Sequence, residues 1–541
     1  MNAPISLHNL LPVSGIQQGT DVIHESAHLH VTGSATFTDD MPELAGTLYA
    51  ALIMSPVAHG ELIGDGIDRD AILKEHGVVA VYTAKDIPGE NNCGPIVHDD
   101  PFLAVGKVEF LGQAVAVVVA REMLYAREAA HKAKVLVKEL PPILTIDEAM
   151  AAQSFVMPPK GITRGNAAEA IANAPRKVKG STETGQQEQF YMEGQITYAV
   201  PREDGQLTLY SSTQHPDGNQ REAAAALNLS TNDVEVICRR MGGGFGGKED
   251  QATPWAVMAA LAAFHLNQSV KLILNRHDDL RMTGKRHPYE SSYKIGLSKD
   301  LKIIAYEAEF LQNSGAAADL SPAIAERTLF HATNSYFVEN VKTTVLSCKT
   351  NLPPNTAFRG FGGPQGMFVI ECAIVRAASE IGVSPIKIQE ANLLQEDDSF
   401  SYGQIATQVE AQNTWDSAKS LFNLASLEKE VEDFNLTHQN FKKGLALMPI
   451  AFGISFTNTP MNHARALVHI YQDGSVGIST AAVEMGQGVN TKMLQIAAQV
   501  FSIENIVVDG ATLSFKWTND YGEGAEIVLT RDDGEDWPPL N

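Results

Sequence analysis

The sequence predicts an α+β protein built in two parts, and three observations carry that expectation. Short strand-like runs alternate with helical ones from Ile23 to about Ile146. A breaker-rich stretch follows, from Met157-Pro158-Pro159-Lys160-Gly161 to Ala174-Pro175-Arg176-Lys177, and reads as a linker across the surface. Beyond Ser181 the chain carries three glycine-rich loops, each placed just before a helix-like stretch.

Taken in order, residues 1–20 read as a loose leader. Met1–Gly15 lacks the basic start and apolar stretch of a secretory signal. In the first part (21–147), Gly46–Ile53 and Gln113–Ala120 are strand-like and Met123–Ala133 is alanine-rich and helical. Val135-Leu136-Val137 then resumes a strand, which completes a compact module. The linker is placed at 148–180 and the second, larger part at 181–502. Its helices, such as Met367–Glu380 and Thr491–Phe501, follow the glycine loops directly. In a tail at 503–541, the alternation Ala511-Thr512-Leu513-Ser514-Phe515-Lys516-Trp517, a turn near Asn519–Gly524 and Glu526-Ile527-Val528-Leu529 predict a β-hairpin.

Composition narrows the function. The 541 residues are 44% hydrophobic and 19% charged, so a large core needs no disulfides. A formal net charge of −23 argues against nucleic acid and anionic membrane surfaces as partners. The longest apolar runs, Ala114–Ala120 and Trp255–Phe264, are far too short to span a bilayer, and the expected location is cytoplasmic. Cys93, Cys238, Cys348 and Cys372 stand apart, without iron–sulfur spacing, so any such cluster belongs to another chain. His24, His28 and His30 bunch together, and His28-x-His30 on a strand would face one side; solvated or capping roles outweigh a metal site.

The loops read Met241-Gly242-Gly243-Gly244-Phe245-Gly246-Gly247-Lys248-Glu249, Phe358-Arg359-Gly360-Phe361-Gly362-Gly363-Pro364-Gln365 and Glu484-Met485-Gly486-Gln487-Gly488. Glycine lets the backbone approach a ligand, and a helix start behind it offers free N–H groups. Three such loops suggest an extended, anionic, phosphate-bearing cofactor gripped from several sides. Gly242–Lys248 also satisfies the G-x-x-x-x-G-K half of a nucleotide-binding loop. The next position, which must supply a hydroxyl to Mg²⁺, is Glu249, and a carboxylate there repels phosphate.

At these loops the sequence resembles the molybdenum-cofactor-binding subunits of bacterial xanthine dehydrogenases, within the xanthine oxidase family. The resemblance runs from about His24 to about Phe501. It also includes Gln187–Glu193, Ser212-Thr213-Gln214-His215-Pro216, Ala325–His331 and Phe452–Thr457. It implies an α/β-hammerhead-like N-terminal domain followed by an incomplete molybdenum-cofactor-binding domain. By the same resemblance Gln214 lies beside the molybdenum, bonding an oxo ligand. Phe245, Gly246, Arg359, Gly486 and Gln487 cradle the pterin and its phosphate. Phe361 and Phe456, with Thr457, bracket a flat substrate, and Glu249 and Arg327 pair with the polar edges of a purine. FAD and [2Fe–2S] clusters are implied on a partner subunit, in a heterotetramer-type assembly.

Residue chemistry supports those roles independently. A planar, polar-edged substrate needs aromatic faces, one acceptor and one strong donor. A carboxylate and a guanidinium supply the last two, and the guanidinium stabilises negative charge building on the ring. Aldehyde oxidases of the family usually have apolar residues at these two positions, and carbon monoxide dehydrogenases carry a cysteine loop that Asn355-Thr356-Ala357-Phe358-Arg359 lacks. The expected chemistry is hydroxylation of hypoxanthine and xanthine toward urate; an aldehyde oxidase-like subunit and a non-catalytic remnant without cofactor are the alternatives.

The resemblance is expected to stop near Ser502. The family's general-base glutamate, in a Gly-Glu-Pro-Pro setting, belongs to the part beyond, and Gly534-Glu535-Asp536-Trp537-Pro538-Pro539 echoes it only faintly. The chain is therefore expected to be a C-terminally truncated, catalytically impaired form with no base of its own.

Overall fold

The computed structural model describes residues 21–500, except 463, 465 and 473–475, and the backbone of three strands beyond them. The expected leader and the Gly534–Pro539 echo lie outside the described residues. In chain order the first strands are β1 (Leu48–Met54), β2 (Gly60–Ile67), β3 (Val78–Thr83), β4 (Lys107–Val108), β5 (Ala114–Ala120) and β6 (Val135–Glu139). Then come β7 (Lys160–Arg164), β8 (Arg176–Thr184), β9 (Ile196–Pro201), β10 (Leu207–Ser211), β11 (Val234–Ile237) and β12 (Val270–Ile273). β13 (Tyr289–Leu297), β14 (Ile303–Gly315) and β15 (Asn340–Lys349) follow, with β16 (Ala466–Ile470) and β17 (Val476–Thr480) after a helical stretch. The last three are β18 (Ile503–Asp509), β19 (Thr512–Thr518) and β20 (Gly524–Leu529).

The two parts of the chain share one sheet. Seven strands run in the order β11-β10-β9-β12-β1-β5-β3, with β1 parallel to β12 (Leu48 opposite Val270) and antiparallel to β5. All seven residues of β5 are buried. Ala114, Val117 and Val119 belong to the core cluster that also takes in the helix Thr253–Leu266, while Val115, Ala116 and Val118 join a second cluster with Ala129 of the helix Met123–Lys132. Burial on both faces is why this strand is a continuous apolar run without alternation. A small sheet, β4-β2-β6, completes the N-terminal part.

A second sheet runs β7-β15-β14-β13-β8, and it corrects the expected linker at 148–180. Both of its edge strands come from that stretch. β8 pairs along its whole length with β13, from Arg176 opposite Leu297 to Thr184 opposite Tyr289. The prolines that suggested a linker sit at element boundaries, where they stop one element and start the next. Thr145 with Glu148, and Asn166, cap the short helices Ile146–Ala151 and Ala167–Asn173 flanking β7. The helix Gly363–Ile381 fills the core of this sheet through Val369, Ile370, Ala373, Ile374 and Ala377.

Two smaller expectations resolve differently. His28 and His30 lie on a helix, Ala27–Thr32, and not on a strand, because Gly33 in the left-handed region closes a helical turn there. The expected hairpin corresponds to β19 and β20, and β18 adds a third antiparallel strand ahead of it. Among the described residues no helix is long and apolar enough to cross a membrane.

Val119→Ala, at the strand shared by both cores, is expected to lower stability by about 2–3 kcal/mol. Val105→Ala, 62% exposed, should change it by less than about 0.5 kcal/mol. Chemical denaturation of the two variants checks the contrast.

Candidate cofactor and substrate site

The site begins where β10 hands over to the helix Pro216–Leu227. In that turn the Gln214 backbone N–H donates to the Lys248 carbonyl at 2.7 Å. Its side-chain Oε1 accepts from the N–H groups of Gly246 (2.9 Å) and Lys248 (3.3 Å). With Oε1 engaged twice, the orientation of the amide is set by its network, and Nε2 is the end left to donate elsewhere. A Cβ on Gly244 would stand 2.5 Å from Oε1, so only glycine lets the loop close this tightly.

The second loop docks on the first. The Arg359 N–H donates to the Phe245 carbonyl at 2.9 Å, and a Cβ on Gly246 would lie 2.7 Å from the Ala357 carbonyl. Arg286 donates to the Arg359 carbonyl at 2.9 Å and lies 3.9 Å over the Phe358 ring. Phe245 (φ 56) and Phe361 (φ 49) both occupy the left-handed region. For a bulky residue that is a strained conformation, held by its surroundings and concentrated at functional sites. Arg359 is exposed, and its guanidinium meets no carboxylate among the described residues.

The third loop is tied to the first through the Met241 N–H and the Glu484 carbonyl, 2.8 Å apart. Here the structure departs from expectation. The Gly486 N–H, expected on a cofactor, donates to Glu484 Oε1 at 2.8 Å, and the N–H groups of Gly488 and Asn490 also reach that carboxylate. Burial opposes its ionisation, but the Asn490, Gly488 and Gly486 amides outweigh it and hold the carboxyl below its usual range. Gln487 is turned back on its own loop, donating to the Val483 carbonyl and accepting from the Met485 N–H. What the loop offers outward is the open side of Gly486, which has nothing within 4 Å of a Cβ position. His24, Glu25 and Glu484 bring ligand-type atoms within 4.8 Å of one another. Glu484 is already engaged by three amides and Glu25 by Thr491, so the group works as a latch between the N-terminal segment and this loop.

The second loop also reaches a guanidinium. Arg327, 5% exposed, donates through its two terminal nitrogens to the carbonyls of Gly453 and Ser455. Its Nε is buried without a partner, and no carboxylate pairs with it among the described residues. It lies 5.7 Å from the Phe361 ring and 5.2 Å from that of Phe452. Phe361 and Phe456 face each other at 5.8 Å, tilted by 54°. Thr457 is committed to Glu326, donating at 2.8 Å, and Glu326 pairs with Lys160.

Around Glu249 the interior is acidic. Burial, reinforced by Asp250, pushes the Glu249 carboxyl up to about 7. His215 lies 3.5 Å from Asp250 and 3.4 Å from Asp217, and its bond to Asp250 raises it. Asp319 is raised far above the usual range by burial while accepting from Thr356, Gln251 and the Leu320 N–H. The Gln251–Asp319 bond links the segment carrying Glu249 to the helix Ser321–Phe330 carrying Arg327.

The structure thus joins Gln214, Phe245, Gly246 and Arg359 directly, and Arg327, Phe361 and Phe456 directly, with the second loop common to both groups. Sequence reasoning gave no role to Phe452, Glu193 or Glu484. Each sits inside a motif it quoted, but their signal is a tertiary partner and not a spacing. Lys248 shows why the nucleotide-loop reading fails: its side chain is fully buried and turned away from the loop mouth. Cavities of about 560 Å³ beside Trp415 and about 540 Å³ on the five-stranded sheet contain none of these residues.

Comparison with known proteins gives three successive family matches. Residues 32–141 match the aldehyde oxidase and xanthine dehydrogenase a/b hammerhead domain, and residues 151–393 and 417–519 match molybdopterin cofactor-binding domains. The family pattern therefore continues past Ser502, where it was expected to stop, to residue 519. A xanthine dehydrogenase from Oryza sativa subsp. japonica is 41% identical over 90% of this chain and 36% of its own. Xanthine dehydrogenase/oxidase from Gallus gallus and aldehyde oxidase 2 from Rattus norvegicus are each 38% identical with the same coverages. The chain thus spans about a third of the length of these relatives. Among solved structures, the aldehyde oxidoreductase from Desulfovibrio gigas superposes with a TM-score of 0.80 at 24% identity, over 90% of this chain and 55% of that one. Quinoline 2-oxidoreductase from Pseudomonas putida 86 gives 0.79 at 24% identity, over 91% and 66%.

The residues present fit such a cofactor. The Gly244 and Gly246 contacts leave a backbone wall no side chain could form, the Gln214 Oε1 is engaged so that Nε2 is its remaining donor, and Arg359 has no carboxylate partner among the described residues.

Gly246→Ala, at φ +96 with its Cβ against Ala357, is expected to cost about 2–4 kcal/mol and to part the first two loops, as thermal melts and loop proteolysis would report. Glu249 gives a pH signature. Its folded carboxyl is raised to about 7 from 4.5, so the stability it contributes is full below pH 4.5 and lost as pH rises through 7. Between these values the wild type should lose stability relative to Glu249→Gln, with the difference constant above pH 8. Urea titrations of both proteins across pH 4.5–8 measure it.

Proposed function

This chain belongs to the aldehyde oxidase and xanthine dehydrogenase family, and we propose on that premise that it is the molybdopterin-binding portion of a purine-hydroxylating enzyme. The substrates we infer are hypoxanthine and xanthine, carried toward urate. FAD and [2Fe–2S] clusters on a partner subunit, in a heterotetramer-type assembly, take the electrons. The observation that carries this reading is Arg327, a buried guanidinium with no carboxylate partner among the described residues and an unsatisfied Nε, set among Phe361, Phe452 and Phe456. A buried cation without an ion pair is costly unless a ligand completes it.

Each residue has a task in this reading. The first two loops and Arg359 hold the anionic cofactor, and the Gln214 Nε2 donates toward it. When bound, the molybdenum–molybdopterin group supplies two-electron oxidation at the substrate carbon. Phe361 and Phe456 bracket the flat ring. Arg327 donates to a ring acceptor and stabilises negative charge as it develops. Glu249, close to half protonated at neutral pH, can donate to or accept from the opposite ring edge. Neither Glu249 nor Glu484 serves as the general base, since the first faces substrate and the second is bound by three amides.

The alternative with a specific observation behind it is an aldehyde oxidase-like activity, because the rat aldehyde oxidase 2 is as similar as the chicken enzyme. Arg327→Met separates the two. In the assembled enzyme it should lower kcat/KM for xanthine by about 10²–10³-fold and for an aromatic aldehyde by less than tenfold. Equal losses on both would favour the aldehyde reading, and a wild-type chain without molybdenum would favour the remnant without cofactor.

A further inference from the structure

The lysine of the first glycine loop has a task that its sequence pattern disguises. Its ammonium is enclosed by the Glu193 carbonyl at 2.7 Å, the Ser212 hydroxyl at 2.8 Å and the Glu193 carboxylate at 3.5 Å, and it lies 4.6 Å over the Tyr191 ring. That wall is itself fixed. Glu193 accepts from the N–H groups of Gly242 and Thr38 and from the Ser212 hydroxyl, and Tyr191 donates to Asp279 at 2.7 Å. Gln195 bridges the wall to the loop by donating to both the Tyr191 hydroxyl and the Gly247 carbonyl.

The backbone of the same residue holds Gln214 from two sides, through its carbonyl to the Gln214 N–H at 2.7 Å and through its N–H to Oε1 at 3.3 Å. We infer that Lys248 is a positioning residue, resting on the function proposed above: anchored through its ammonium, it locks the Gln214 amide so that Nε2, a donor, faces the cofactor side. Without the anchor, Oε1 keeps only the Gly246 N–H, and the amide can rotate to present an acceptor instead. An anionic or oxygen-rich group meets a donor in the first case and repulsion in the second. The cost of burying the ammonium draws it down to about 8, so it is still charged at neutral pH and matches the Glu193 carboxylate.

The test is hydrogen–deuterium exchange of the full 541-residue chain. Lys248→Met keeps most of the length and apolar stem of the side chain and removes the charge. Peptides covering 241–249 should exchange at least tenfold faster, while those covering 289–297 are unchanged. A second variant, Glu193→Gln/Lys248→Met, removes both charges. If ion balance alone mattered, it would restore loop protection; under the positioning role the loop stays unprotected. Should Lys248→Met fail to fold, Ser212→Ala removes one partner of the ammonium and should speed the same peptides about threefold. Unchanged exchange in 241–249, or full rescue by the neutral pair, overturns the proposal. In protein produced with cofactor supply, molybdenum per chain should fall at least tenfold in Lys248→Met, and unchanged molybdenum counts against it. A wild-type chain that binds no molybdenum but shows the exchange change would remove the proposed function while leaving the anchoring of Gln214 intact.

Discussion

Gln214 and Lys248 hold each other through two backbone-assisted hydrogen bonds, the Gln214 N–H to the Lys248 carbonyl and the Lys248 N–H to Gln214 Oε1, and the Gly246 N–H adds a third to the same Oε1. Most of the site geometry follows from that contact. It brings the turn after β10 against the first glycine loop, and the loop in turn receives the second through Arg359 and Phe245 and the third through Met241 and Glu484. Three segments separated by more than a hundred residues each are thus fastened at one place by backbone amides. Backbone fastening has a chemical consequence: side chains at the loop surface, Phe245 and Arg359 among them, stay free for a ligand.

The arrangement stores strain where it is used. Two phenylalanines stand in the left-handed region, each next to a glycine that also does, with Gly360, Phe361 and Gly362 consecutive at φ of 98, 49 and 95. Such a backbone would relax in isolation. It persists because Gly362 is pressed against the Ile324 carbonyl and Phe361 against Leu320, Ile324 and Ala357. The same helix that supplies Ile324 supplies Arg327, so the surface that seats Phe361 and the guanidinium come from one element.

Electrostatics divides the site in two. On the Glu249 side, carboxyl groups are raised by desolvation: Glu249 to about 7, Asp100 also to about 7 and Asp319 further still. On the Arg327 side a cation is buried without an acid among the described residues. These groups do not neutralise each other in pairs, and a ligand with an acceptor at one edge and a donor at the other is what such a division can recognise.

The sequence by itself determined the elements and the chemistry of single residues. A run such as Ala114–Ala120 reads as a strand, glycine loops before apolar helices announce themselves by spacing, and Glu249 after Lys248 argues against a Mg²⁺–nucleotide loop. These are local properties, written in neighbours along the chain. Tertiary structure decided what depends on distant partners. Residues 148–180, rich in breakers, became the two edge strands of a sheet because β13 and β15 were there to pair with them. The amides of the third loop were claimed by Glu484, and the ammonium of Lys248 turned inward to Glu193 and Ser212, because in each case the partner lies within the fold at hydrogen-bonding distance. No spacing along the chain encodes which donor finds which acceptor, since that choice is made only when the sheets and helices have brought them together.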